Sequence, residues 1–246
     1  MPRPQMVNRR SIEGSPAEAT LAPAGSRGKR WERRSDARPS ELIAAALRLF
    51  AERGFAATRL EDVAASAGVS KGTVYLYFES KERLFEAVVR ETVTPKLDRA
   101  SLLVESFEGS TTDLLGALFT VMAGVLGGPL PSVVKLIVAE SGNFPELARL
   151  WSELAVSRVF ALMRKVVERG IAGGEFRAVD PELTAPLILA PVLVLALWKQ
   201  TLAPHTDVVL EPQKLLAAHL EMVLAGLATT EPKRDPGPLP ERVKGV

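Results

Sequence analysis

The 246-residue chain has no cysteine and only two histidines, His205 and His219. The missing thiols exclude disulfides, thiolate nucleophiles and thiolate zinc sites, and they fit a reducing, cytoplasmic setting. The histidines do not make a metal site: His205 sits in a Pro/Thr/Asp loop, His219 on an expected helix, and no carboxylate spacing nearby completes a ligand set. A glycine-rich phosphate loop, a G-x-S-x-G elbow and an H-E-x-x-H pair are also missing. Glu82 and Glu86 stand four apart, but on a charged face beside Lys81 and Arg83. Neither catalysis nor a cofactor is therefore expected. No apolar stretch of 7–15 residues follows the N-terminal arginines, so no secretory signal is read there. The 16 uncharged residues from Leu183 to Trp198 contain Pro186 and Pro191. They fall short of the roughly 20 residues a membrane span requires. A helix apolar all round is otherwise buried, here by its own domain and by a second subunit.

Charge is unevenly distributed. Residues 1–38 hold nine Lys/Arg against four Asp/Glu, a net of +5, while the whole chain is only +2. This segment carries Pro2, Pro4, Pro16, Pro23, Gly14, Gly25 and Gly28 and no sustained apolar period. It reads as a disordered basic arm. Its end, RGKRWERR, abuts the next segment, so an arm lying along a nucleic acid and a plain solvated charge run are both open.

The richest stretch is TRLEDVAASAGVSKGTVYLYFESK, residues 58–81. Leu60, Val63, Ala64 and Ala67 are spaced as one face of a helix. Thr58 and Glu61 make a capping-box pattern ahead of it. Gly68 ends that helix, where a left-handed turn costs glycine least. Ser70 caps a second helix. Val74 and Phe78 share its buried face, while Lys71 and Tyr75 share another. Ser80 caps a third helix. Ala64 is small where two helices must cross. Two short helices, a glycine turn and an apolar anchor make the helix-turn-helix pattern, with a plain αα-hairpin as the alternative from pattern alone.

Residues 39–90 resemble the N-terminal domain of the TetR family of bacterial transcriptional regulators. The resemblance rests on an opening helix, ELIAAALRLFAERGF, on G-F-x-x-T, on V-S-K-G-T-V-Y-x-Y-F-x-S-K, and on SKERLFEAVV. It implies that the second helix enters the major groove of double-stranded DNA. Lys71, Gly72 and Thr73 would occupy its first turn, facing base edges and phosphates. Tyr75 and Tyr77 match backbone or thymine-methyl contacts. Thr58 and Lys81 match phosphate contacts at helix N-termini. Val63, Ala64, Val69, Val74 and Phe78 match core positions. Leu76 offers apolar contact only. Residues 39–90 hold seven basic and seven acidic side chains. Phosphate binding must then depend on where the cations sit, not on bulk charge.

Beyond residue 90 the pattern is all helix, which gives an all-α fold: a three-helix helix-turn-helix domain at 39–90, a helical effector-binding and dimerisation domain at 91–228, and a flexible Pro-rich tail at 229–246. Helices are expected over about 81–97, with Pro95 near the end, and over 111–126, 131–141 and 145–172. Two more are expected from Asp180-Pro181 to Trp198 and from Glu211-Pro212 to Leu227. Leu216, Leu220, Val223 and Leu227, spaced 4, 3 and 4, form a stripe suited to a four-helix dimer interface. The resemblance implies such a homodimer, with recognition helices about 34–36 Å apart and a near-palindromic operator. It also implies a small-molecule pocket in the middle helices. Phe119, Met122, Trp151, Phe160, Met163 and Trp198 are candidates to line it, for an apolar or aromatic effector. Core packing is the competing role for each. Arg158 could meet an acidic ligand or form an ion pair. The expected protein is a cytoplasmic, nucleoid-associated one-component regulator, acting as a repressor released by its effector. An activator, or a regulator without an effector, is the alternative.

Overall fold

In the computed structural model of the chain, residues 27–229 are described, with side chains from residue 39 onward. The tail from residue 230 and the first 26 residues of the expected arm lie outside that range. The chain divides into two units, 1–38 and 39–246, and both hydrophobic cores lie within the second.

The helices are α1 (Arg27–Ala57), α2 (Leu60–Ser66), α3 (Lys71–Tyr77), α4 (Lys81–Ser106), α5 (Thr111–Leu126), α6 (Leu130–Glu140), α7 (Pro145–Trp151), α8 (Ser157–Ala172), α9 (Pro181–Thr201) and α10 (Pro212–Leu227). Among the described residues no β-strand forms; Phe176 and Ala228 make a single isolated bridge. Residues 27–38, read as part of a disordered arm, are helical in backbone. Residues 29–38 contain no glycine or proline to interrupt the helix.

Local signals place most helix ends. Ser70, Ser80 and Ser110 each accept an amide hydrogen bond from the residue three positions on, at the starts of α3, α4 and α5. Asp180 accepts from the Glu182 amide at 2.8 Å with Pro181 in the first turn of α9. Gly68 takes φ +68° where α2 ends.

α9 runs three residues past its expected end, to Thr201, and two further helices depart in ways that change the packing. α4 runs through Pro95 to Ser106. Its apolar stripe continues past the proline, with Leu97 packed on the first core and Ala100 and Val104 buried in the second. Burying Val104 contributes roughly 1.5–3 kcal/mol, and with the partly buried Leu97 this offsets much of the roughly 3 kcal/mol a mid-helix proline costs. The expected helix 145–172 is split by a π-helical turn at Ser152–Val156. The turn changes the phase of the buried face. Leu147 and Ala155 join one core, while Met163, Val166 and Val167 join another.

The first core fills the helix-turn-helix head and extends into α6 and α7. Phe50, Phe55, Phe85 and Phe144 form its aromatic centre, with ring centroids 5.0–5.9 Å apart. Val63, Ala64, Val74 and Phe78 are buried in it, as expected, and Val69 packs against it. The second core joins α5, α8, α9, α10 and the end of α4. α9 is long and apolar enough to cross a membrane by length and composition alone. In this fold it packs on α6 and α8.

Candidate nucleic-acid interface and effector cavity

The G-F-x-x-T segment breaks α1 at Gly54, whose backbone is not helical, and builds the corner that leads into α2. Gly54 has φ +83°, a conformation that favours glycine, and a Cβ there would lie 2.7 Å from Glu140 Oε1, so the Glu140 carboxylate would have to move. Phe55 is fully buried. Thr58 is 1% exposed, and its hydroxyl reaches the carbonyls of Gly54 at 2.8 Å and Leu49 at 3.3 Å. Its side chain therefore locks the corner and has no atom to offer a phosphate. Lys81, the other expected phosphate contact, is also engaged. Its Nζ donates to the Phe55 carbonyl at 2.6 Å and the Ala56 carbonyl at 3.2 Å, and lies 4.4 Å from the Phe55 ring centroid. Two carbonyl dipoles and an aromatic face hold the ammonium where a lysine in open water would be solvated.

The cap of α2 falls one residue later than expected. Arg59 is the N-cap, and its amide donates to Asp62 Oδ2 at 3.1 Å. This releases Glu61 for another role. Glu61 Oε1 lies 2.7 Å from Lys71 Nζ and accepts from the Tyr75 hydroxyl at 3.1 Å. The Lys71 hydrogen bond, with smaller help from backbone and Tyr75 hydrogen bonds, holds the Glu61 carboxyl down to about 2. The same contact raises Lys71 above its ordinary value. Glu61 was legible in sequence only as a capping residue. Its partners lie on the next helix, so no spacing within one helix reveals them.

α3 turns Val74 into the core and leaves Lys71, Gly72, Tyr75 and Leu76 exposed. Leu76 is 78% exposed, on a helix only seven residues long. Thr73 is half-buried, with its hydroxyl 2.8 Å from Ser70 Oγ. Tyr77 is half-buried and packs against the head core. Tyr75 and Tyr77 are the chain's only two tyrosines. A Cβ on Gly72 would meet nothing nearer than Ser70 Oγ at 3.9 Å. The fold does not require glycine there. The bare backbone leaves room for a surface approaching from outside.

A cavity of about 130 Å³ lies among α4, α5, α8 and α9. Met122 and Met163, two of the expected candidates, line it together with Val93, Leu97, Leu118 and Leu189. The other four candidates do not. Phe119 is buried with its ring 5.6 Å from that of His219. Phe160 is on the exterior. Trp151 and Trp198 are half-buried away from the cavity, and the Trp198 indole N–H has no partner among the described residues. Bulk in an apolar helix marked them for burial, but only phase relative to the neighbouring helices decides which residues border a void. Arg158 pairs with Asp98, tying α8 to α4. His219 lies 3.1 Å from the Ile188 carbonyl, between α10 and α9.

The α10 stripe read as a dimer interface faces inward. Leu216 is 2% exposed and Leu227 is buried; Leu220 and Val223 pack against the same core. Apolar periodicity showed that this face is covered, but not that a partner covers it. Apolar side chains are exposed elsewhere, at Leu183, Leu187 and Val194 on α9 and at Met222 on α10.

The model for bacterial regulatory proteins of the tetR family matches residues 42–88, and the model for the tetracyclin repressor-like C-terminal domain matches residues 108–211. The HTH-type transcriptional repressor KstR2 of Rhodococcus jostii is 30% identical over 199 residues, covering 78% of this chain and 92% of that protein. The chain belongs to the TetR family. A TetR-family regulator from Mesorhizobium loti shares the fold with a TM-score of 0.62 at 27% identity, over 80% of this chain and 99% of that one. The ketosteroid transcriptional regulator KstR2 of Mycobacterium tuberculosis does so with a TM-score of 0.61 at 25% identity, over 78% and 96%. As a TetR-family member the chain is a DNA-binding transcriptional regulator and not an enzyme.

Proposed function

We propose that this TetR-family chain works as a cytoplasmic homodimer that represses from a near-palindromic operator and leaves it when a largely apolar small molecule binds. The observation that carries the reading is the double use of α4. Its first residue, Lys81, grips the corner of the DNA head, and its middle supplies Val93 and Leu97 to the cavity. A ligand that prefers one placement of α4 biases the head through the same rigid element. The coupling is reciprocal: operator binding weakens the ligand by the same factor.

Of the seven residues expected at DNA, Lys71, Gly72, Thr73, Tyr75 and Tyr77 stay in the proposed interface. Thr58 and Lys81 support it from behind by fixing the corner. Leu76 joins as an apolar reader of a thymine methyl. For the dimer, the stripe Leu183, Leu187, Ala190 and Val194 on α9 replaces the inward stripe of α10. Ala218, Met222 and Ala225 on α10 extend it, where small residues let helices approach closely.

The test is selection of bound fragments from the source genome by the full-length protein at near-physiological salt. One enriched near-palindromic site supports a dimeric, sequence-specific reader, and the neighbouring genes narrow the effector's chemistry. Weak, salt-abolished binding without a shared motif overturns the operator reading.

A further inference from the structure

The cavity is apolar on every side but one. Of its lining residues only Lys96, on α4, carries a polar side chain. A second, more open cavity of about 290 Å³ adjoins it, sharing Lys96, Ala100, Val121 and Val125 and adding Arg99 and Gly124. Lys96 is half-buried, and its Nζ donates to the Thr92 carbonyl at 2.6 Å. Neither Lys96 nor Arg99 has a carboxylate partner among the described residues, although Asp98 between them pairs with Arg158. A partly desolvated ammonium without a counter-charge is unfavourable. Burial accordingly lowers the pKa of Lys96.

We infer that the two cavities form one binding site for an anionic amphiphile, with its apolar body between Leu118, Met122, Met163 and Leu189 and its carboxylate or phosphate head at Lys96 and Arg99. This rests on the reading of the cavity as the effector site and adds the head-group chemistry. The inner space, about 130 Å³, accommodates a group of roughly benzene size without rearrangement. A longer chain extends through the shared mouth at Val121 and Val125. The anion supplies the counter-charge that Lys96 lacks, and Arg99 offers a planar fork that binds either head bidentately. No carboxylate lines either cavity to repel it.

The experiment is calorimetric titration of the full-length protein with three probes of one chain length, all below their aggregation thresholds: dodecanoate, dodecyl phosphate and 1-dodecanol. The expected result is that at least one anion binds about tenfold or more tightly than the alcohol, as a charge-assisted contact predicts. In Lys96→Met, which keeps the apolar stem, that preference should disappear while the alcohol still binds. Val121→Trp, at the half-open mouth, should block all three. Comparison of the carboxylate with the phosphate shows which head the site takes. Equal binding of alcohol and anions overturns the anionic head and leaves an apolar effector site standing. Anion binding that survives both Lys96→Met and Val121→Trp places the anion elsewhere and overturns the proposal. If none of the three binds, both the proposal and the effector reading of the cavity fail.

Discussion

Glu140, the last residue of α6, accepts a hydrogen bond from the Phe55 amide at 2.8 Å across 85 residues of sequence. The same carboxylate oxygen lies 3.4 Å from the Ala56 amide. Lys81 holds the carbonyls of these two residues from the other side. The corner that sets the angle of α2 is thus gripped by one acid from the C-terminal domain and one base from α4. Replacing Glu140 with alanine leaves the part-buried Phe55 amide without its partner. A loss of about 1–3 kcal/mol is expected, read as a lower urea midpoint with unchanged slope. Glu140→Gln keeps an acceptor and should lose less. If Glu140→Ala unfolds like the parent, the contact does not contribute to stability in solution.

Gly72 separates folding from recognition. Nothing in the protein crowds a Cβ there. Gly72→Ala should leave melting unchanged or raise stability by up to about 1 kcal/mol, because alanine loses less backbone entropy in a helix. If the backbone of α3 comes close to DNA, the same methyl should weaken operator binding by tenfold or more, about 1.4 kcal/mol. Full operator affinity in Gly72→Ala would remove the close approach at this residue.

The Glu61–Lys71–Tyr75 cluster gives a titration with a definite sign. Glu61 is held down to about 2 from an ordinary 4.5, chiefly by the Lys71 hydrogen bond. A depressed carboxylate contributes stability above its unfolded pKa and loses it as pH falls through the folded one. The window here runs from about 4.5 down to about 2. Carbon-detected NMR of the Glu61 carboxyl should show the low midpoint in the parent and a return towards the ordinary value in Lys71→Ala. An unshifted Glu61 in the parent means the contact does not persist in water. Glu61→Gln should also strengthen low-salt binding to non-specific DNA by releasing Lys71 and removing a negative charge beside it.

Much of the head was legible in sequence because its signals are local. Ser70, Ser80, Gly68 and the Val74–Phe78 pair each declare a cap, a turn or a face within four residues. The same locality accounts for the misreadings. Thr58 carries a good capping side chain, yet its hydroxyl is taken by carbonyls at Gly54 and Leu49. Lys81 looks solvated until Phe55 folds back beneath it. Pro95 marks the expected end of a helix that burial of Ala100 and Val104 carries on to Ser106. In the C-terminal domain, apolar residues outnumber the positions that border a cavity. Phe119 and Met122 are indistinguishable by composition, and only the placement of α10 puts one against His219 and the other at the void.

The two apolar stripes of the last helices make opposite predictions. Leu187 is 69% exposed and Met222 is 73% exposed within one protomer, whereas Leu216 is 2% exposed. Leu187→Glu puts a charge on a surface that the protomer itself leaves open. It should fold and melt as a monomer and run at half the parent mass in light scattering. With one head per particle it should lose at least about 100-fold in operator affinity, the scale of avidity lost when two linked contacts become one. Leu216→Glu instead buries an unpaired carboxylate in the core beneath α5 and α9, and it should unfold the C-terminal domain outright. A folded, monomeric Leu216→Glu beside a dimeric Leu187→Glu would return the interface to the inward stripe. Folded monomer from Leu187→Glu alone assigns it to the exposed face of α9.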